Sequence, residues 1–532
     1  MKNIKKYIVT LGLLTAVVSC DNLQDLNVNP SFPVDVSAQA LMPPIQQQMA
    51  VGLQFDNRYL GRYVQYFSNA TAENEWDRYG YVANNDQGGE IWKMAYFSLG
   101  LNITRMQEKA VAEERHDITG MAKVIRAWSW QVATDYHSEL IDFDQAFTQR
   151  MSFDYVGQEK VYAEILRLIN EGVTDLARTD GKVSASYAAV GDKMYNGDRA
   201  KWTKFAWGIV ARNLNNQINK STYNADAVIA ACDKSLASNT DNALINYNGS
   251  VSADSNFNGP GRNNISLFRQ TDFMVRVMDG TVFTGAVDPR MSRILAPSIG
   301  LSEASPASTA IPDPTKYTFV GNPLNTTASS TTSPSRIPNL WGTFSTGTVT
   351  TPGRYIFRDK ASFPIMTYAE IQFIKAEAAF KKGDKTLALA AYKKGIEASI
   401  DFVNLNTVVS TSYPITSAIT ATEKNTFLAN LNVVPAEANL TMSHIILQKY
   451  ISLFGFGNLE AWTDMRKYHY DNVNIYKTMA FPTLLFADNG GKLPYRVRPR
   501  FNSEYVWNFA SLQAIGADKV EYHTVEMWFS KP

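Results

Sequence analysis

Apolar residues recur at intervals of three and four in several stretches of the chain, and each such stripe predicts a helix with one buried face. Ile91, Ala95, Leu99, Ile103 and Met106 form one stripe; Met121, Ile125, Trp128 and Val132 form the next. Val161, Ile165, Leu168 and Leu176 make a third, and Trp202, Phe205 and Ile209 a fourth. Residues 225–237 carry Val228, Ile229 and Leu236, with Cys232 on the same face. Helical patterning returns at 368–382, 385–402 and 442–455. Gly383-Asp384 separates the first two of these. Ala376 and Ala388 lie twelve apart and Tyr392 follows four later. That is the small-small-aromatic spacing of a tetratricopeptide-type helix pair, where small residues let two helices approach closely. Residues 118–140 with 157–178, and 198–219 with 224–238, read as further pairs with looser spacing.

Between these stretches the pattern fails. Residues 21–45 are rich in Asn and Pro and read as an extended tether. Across 240–365, Gly, Pro, Asn, Ser and Thr interrupt every periodic run, and the eleven residues from Asn325 to Ser335 include eight Ser or Thr. The tail from 471 is irregular and aromatic. The expected division is a leader over 1–19, a tether over 20–45 and a first helical part over 46–240. A loop-rich lobe over 241–365, a second helical part over 366–470 and an irregular end over 471–532 complete it. The fold class is mostly α: degenerate tetratricopeptide-like pairs packed against a loop-rich lobe.

Composition narrows the function. The 532 residues hold 51 Lys plus Arg against 50 Asp plus Glu, and 19% are charged. This balance excludes a nucleic-acid binder with a strong basic footprint, and 45% hydrophobic residues exclude a disordered chain. At this length a single core stops growing, so two lobes are expected. Aromatic residues make up 12% of the chain, enough for a core and for a stacking surface besides.

The amino terminus has the layout of an export signal. Lys2, Lys5 and Lys6 precede a mostly apolar run from Ile8 to Val18, too short for a transmembrane helix, and Val17-Val18-Ser19 leads into Cys20. This resembles the lipobox of bacterial lipoproteins, which implies cleavage before Cys20 and acylation of that residue. Two or more acyl chains hold a protein firmly on a bilayer. Cys232 is then left without a partner and is expected as a small core residue.

Catalytic patterns are absent from the sequence. No phosphate-binding glycine loop and no G-x-S-x-G elbow occurs. The five histidines (116, 137, 444, 469 and 523) are too scattered to suggest a zinc site, and no cofactor is expected. Asp142 and Asp144 are close enough to suggest a glycosidase pair, but among fifty acidic residues such pairs are inevitable and a solvated loop is the preferred reading.

Several motifs resemble one family. Asp198-Arg199-Ala200-Lys201-Trp202-Thr203-Lys204-Phe205-Ala206 and the run Thr367 to Ala378 are two of them. Ile446-Leu447-Gln448-Lys449-Tyr450, Glu460-Ala461-Trp462-Thr463-Asp464-Met465-Arg466 and the Glu504 to Asn508 segment are the others. Together and in this order they resemble the SusD/RagB family of outer-membrane nutrient-binding lipoproteins, closest to its RagB-like branch. The resemblance departs at Tyr136-His137-Ser138-Glu139 and at Pro494 to Arg500. It implies a scaffold role for Trp202, Trp462 and Arg466, and a binding protein rather than an enzyme. It further implies a SusC-type TonB-dependent outer-membrane transporter over which the lipoprotein closes as a lid. The ligand is expected to be an oligosaccharide, with a peptide as the alternative; a glycan-degrading surface enzyme and a purely protein-binding repeat scaffold are less favoured.

Loop 69–90 offers the densest aromatic and amide cluster outside any stripe: Trp76, Asp77, Arg78, Tyr79, Tyr81, Asn84 and Asn85. A stacking and hydrogen-bonding platform needs these side chains. Arg336, Asn339, Trp341 and Phe344 form a second patch, and Arg262, Asn263 and Asn264 a third that is expected to converge on it.

Overall fold

Close approach at small residues sets the helix pairs. In this computed structural model, residues 36–300, 315, 317–328, 335–344, 352–411 and 414–532 are described. Helix α1 spans Met42–Tyr63, α2 Gly100–Ala112, α3 His116–His137, α4 Gln158–Ala177, α5 Arg199–Asn216 and α6 Ala225–Lys234. The later helices are α7 Tyr368–Lys382, α8 Lys385–Asn406, α9 Met442–Ser452 and α10 Asn458–Lys467. A Cβ on Gly120 of α3 would sit 2.7 Å from the Gly172 carbonyl oxygen of α4. The start of one helix therefore packs on the end of the other, antiparallel. In the α7–α8 pair, a Cβ on Gly395 would meet the Phe373 ring at 2.9 Å, and Ala376, Ala388 and Tyr392 are fully buried. Gly383 supplies the left-handed turn between them at φ +92°, and Asp384 caps α8 by accepting the Leu387 N–H at 3.0 Å. Cys232 lies in the core, and burial pushes its thiol up.

One expectation is corrected at the start of the chain. The Asn/Pro-rich pattern predicts a tether as far as residue 45, yet α1 begins at Met42. Pro43 and Pro44 stand in its first turn, where no N–H is needed and proline is tolerated.

Among the described residues, eight short strands form four antiparallel pairs. β1 (Phe67–Asn69) pairs with β5 (Phe268–Gln270), and β2 (Leu140–Ile141) with β3 (Tyr155–Val156). β4 (Ala243–Ile245) pairs with β8 (Phe363–Met366), and β6 (Ile299–Gly300) with β7 (Ser335–Arg336). The β4–β8 pair brackets the loop-rich stretch at its root, and the β1–β5 pair ties it back to the end of α1.

The motif residues meet in a buried ionic centre. Glu377 of α7 accepts from Lys467 Nζ at 2.8 Å, Tyr468 OH at 2.7 Å and Asn215 Nδ2 at 2.7 Å. Asp464 pairs with Lys467 at 2.8 Å and with Lys449 at 2.9 Å. Two ammonium and two carboxylate groups thus balance inside the core. Burial alone would raise the Glu377 carboxyl, but Lys467 and Lys449 outweigh it and hold the group below the usual carboxylate range. Nearby, Arg212 of α5 is held by Glu370 of α7 and by Glu460 of α10, the latter at 3.0 Å. Trp202, Trp462 and Arg466 are fully buried, with the Arg466 guanidinium 3.8 Å above the Trp462 ring, so their role is scaffold.

Candidate functional site

The stripe Ile91–Ala95–Leu99–Ile103 steps by four residues, more than the 3.6 of an α-helix, so a regular helix would rotate it off the core. A π turn over Met94–Ser98 absorbs the surplus, with the Leu99 N–H donating to the Met94 carbonyl at 2.8 Å. All four apolar residues stay buried, and Phe97 is turned outward, 75% exposed. A second π turn covers Phe501–Tyr505, followed by Trp507, 71% exposed. Single π turns inside helical segments often mark functional sites.

Both π turns line the same cavity, of about 780 Å³. One wall runs through Leu101, Ile141, Ala146, Phe147, Met151 and Phe153; the other holds Arg500, Ser503 and Trp507. The floor is polar and fully engaged. Glu504 accepts from Trp92 Nε1 at 3.0 Å, from Asn508 Nδ2 at 3.1 Å and from the Tyr155 hydroxyl. Asn508 also grips the Phe153 backbone, accepting its N–H at 3.0 Å and donating to its carbonyl at 2.9 Å. The arrangement offers exposed ring faces for stacking over a floor whose geometry is fixed in advance.

The two segments that depart from the family pattern support this wall together. Val497 N–H donates to the Tyr136 carbonyl at 2.9 Å, His137 Nδ1 donates to the Val497 carbonyl at 3.0 Å, and Arg496 pairs with Glu139 at 2.7 Å. Burial pushes His137 down to about 3, so the ring is neutral; its edge packs on Trp92 in the cavity lining.

Loop 69–90 is divided by burial. Trp76 is only 1% exposed, with its ring 4.6 Å from Tyr59 and 5.5 Å from Tyr63, both on α1. Tyr79 stacks on Tyr63 at 5.4 Å and is fully buried. Asp77 is fully buried beside Arg62, and burial pushes it up to about 7. These three are core, which corrects their reading as a platform: the rings cover α1, and no face is left for a ligand. Tyr81, Asn84 and Asn85 line a small cavity of about 60 Å³ against Val497–Tyr505. Arg500 borders both cavities and pairs with Asp86, so this end of the loop adjoins the large groove. Arg78 is half-buried, its carbonyl accepting from Phe486 N–H at 2.9 Å.

The second patch reaches the loop that leads into the third, without a contact to Arg262, Asn263 or Asn264 themselves among the hydrogen bonds of these residues. Trp341 Nε1 donates to the Asn258 carbonyl at 2.7 Å, just before Gly259. Trp341 and Asn339 are each 1% exposed, which removes them as ligand contacts. Arg336 lies over Phe344 at 4.6 Å, and both are half-buried. Arg262 donates to the Ser252 carbonyl at 3.0 Å, Asn264 to the Phe257 carbonyl at 2.9 Å, and Asn263 is exposed. Asp142 accepts the Asp144 N–H at 2.9 Å in an ordinary turn. Cys20 lies outside the described residues. Among those described, no helix is long and apolar enough to cross a membrane.

Sequence reasoning missed Phe97, Met151 and Trp507. Phe97 did carry a signal: it stands off the Ile91–Met106 stripe, where a helix facing water has polar residues.

Asp56 of α1 fixes the helical turn that leads into Phe97, accepting the Ile91 N–H at 2.7 Å from a fully buried position. Burial pushes its carboxyl up from 3.8 to about 8. Between those values the folded chain holds a proton that the unfolded chain has released. Stability therefore falls by about 1.4 kcal/mol per unit of pH rise across this window and levels off above it. Asp56→Asn is expected to remove that slope. In guanidinium unfolding, the variant should gain on the wild type from pH 5 to pH 8; a constant difference would contradict the assignment.

The family described as starch-binding and associating with the outer membrane matches residues 30–498. Solved structures share the fold. A SusD homolog from Bacteroides fragilis superposes with a TM-score of 0.69 at 20% identity, covering 93% of this chain and 100% of that one. A SusD/RagB family protein from Bacteroides thetaiotaomicron gives 0.66 at 19% identity, over 93% and 99%. A chitin-binding protein gives 0.67 at 18% identity, over 93% and 99%. No curated protein sequence matches the chain.

Proposed function

The chain belongs to the SusD-like family of starch-binding, outer-membrane-associated proteins, and from that premise we propose that it captures nutrient oligosaccharides at the cell surface for a SusC-type TonB-dependent transporter. Members of this family are binding proteins and not enzymes, and so is this chain. In the proposed cycle Cys20 carries the acyl chains that hold the protein on the outer membrane. The lipoprotein closes over the barrel as a lid, and ligand is trapped between the two.

The observation that carries the reading is the groove: Phe97 and Trp507 present bare ring faces above the fixed Glu504–Asn508 floor. Pyranose rings have apolar C–H faces that stack on such rings, with a few placed polar groups fixing orientation. Asn84, Asn85 and Tyr81 extend the site past Arg500. Arg262, Asn263, Asn264, Arg336 and Phe344 stand as a second candidate rim, in the loop-rich lobe.

Calorimetric titration of the protein against saccharide and peptide panels tests the ligand class. Heat with saccharides alone supports this reading; heat with peptides alone replaces it with the peptide-binding alternative. The anchor has its own test. Cys20→Ala is expected to move the protein from the membrane fraction to the soluble fraction, and a variant still in the membrane fraction would contradict acylation.

A further inference from the structure

We infer that the groove is built for oligosaccharides bearing acyl substituents, acetyl esters above all, and not for bare glucans. The inference rests on the reading of the groove as a saccharide site and names the class of saccharide. It stands on the asymmetry of the two walls.

A bare sugar chain has apolar faces but a polar edge, because its hydroxyls project around the ring. Faces need flat aromatic partners, which Phe97 and Trp507 supply. Edges need donors and acceptors, since a hydroxyl moved out of water without a hydrogen bond is strongly disfavoured. The wall from Leu101 to Phe153 supplies few from its side chains: Leu101, Ile141, Ala146, Phe147, Met151 and Phe153 are apolar, and Thr148 and Gln149 are its polar members. Met151 is 84% exposed and Leu101 45%, so this surface is open to an incoming ligand. The floor cannot compensate, because Glu504 and Asn508 are already bonded to Trp92, Tyr155 and Phe153.

Acylation changes this balance. Each acetyl group replaces an edge hydroxyl donor with a methyl group, which the aliphatic wall accepts, and a carbonyl oxygen, which needs one donor. Lys93, Gln149 and Arg500 line the same cavity and carry such N–H groups. Thioether and aliphatic side chains adapt to methyl groups at variable positions better than rings do. Each methyl group removed from water favours binding by about fourfold. Two or three acetyl groups along the bound stretch then amount to at least tenfold.

The test uses one oligosaccharide sample in two forms. Acetylated xylo-oligosaccharides and the same sample after saponification are titrated calorimetrically into the wild type and into Leu101→Asn/Met151→Asn, beside unsubstituted starch oligosaccharides. The expected result is at least tenfold tighter binding of the acetylated form by the wild type, and loss of that preference in the variant. Both replaced side chains are exposed, so an unchanged melting temperature is expected and reports that the fold is intact. Equal affinity for both forms overturns the inference while leaving the groove a saccharide site. A preference that survives in the folded variant also overturns it, because the wall would then not be its source. Binding of no saccharide, with peptides bound instead, overturns the proposed function itself.

Discussion

Glu377→Leu is expected to destabilise the protein by about 3–5 kcal/mol, the range for removing one partner of a buried charge pair. The carboxylate sits among Lys467, Lys449, Tyr468 and Asn215, all within 3.6 Å. Without it, two buried ammonium groups share the single carboxylate of Asp464. The Tyr468 hydroxyl and the Asn215 amide also lose their acceptor. The centre joins α5, α7, α9 and α10, so the loss is felt across the helical scaffold. Equilibrium unfolding in guanidinium measures it through the shift in midpoint. A change below about 1 kcal/mol would show that the network is not an interdependent unit. The Lys467→Met/Glu377→Leu double variant should recover part of the loss, since it removes one ammonium along with the carboxylate.

Phe97→Ala/Trp507→Ala is expected to weaken ligand binding by about 30-fold or more while leaving the melting temperature nearly unchanged. Exposed rings give up little core packing when truncated. A Trp that anchors a ligand is worth about 2 kcal/mol or more, which is close to 30-fold in affinity. Titration of wild type and variant with the same oligosaccharide reads the effect. Unchanged affinity would move the binding surface elsewhere, to the Asn84–Asn85 side or to the Arg262 and Arg336 rim.

The helical scaffold was legible because a buried stripe must repeat with the helix, and Ile125, Trp128, Ala376 and Tyr392 all fall where that rule puts them. The five motif segments were legible as well, though only the fold explains their chemistry. Lys449 and Asp464 are fifteen residues apart in the chain, and Glu377 is distant from both, yet their charges cancel in one cluster. The site was much less legible. Aromatic density singled out Trp76, Tyr79 and Trp341, but density in a loop does not say whether a ring turns inward. Here the end of α1 offers Tyr59 and Tyr63 as partners, and burial of large rings is favourable enough to draw Trp76 and Tyr79 in. The groove escaped because its walls come from residues 92–101, 141–153 and 500–508. No local pattern joins those three segments; the π turns that aim Phe97 and Trp507 outward exist only once the helices are packed.

A crystal structure of the protein soaked with a bound oligosaccharide tests the central claim most directly. The account predicts a sugar ring stacked on Trp507 or Phe97, between the Leu101–Phe153 wall and Arg500. A saccharide seated only outside this groove, with Phe97 and Trp507 untouched, would contradict it.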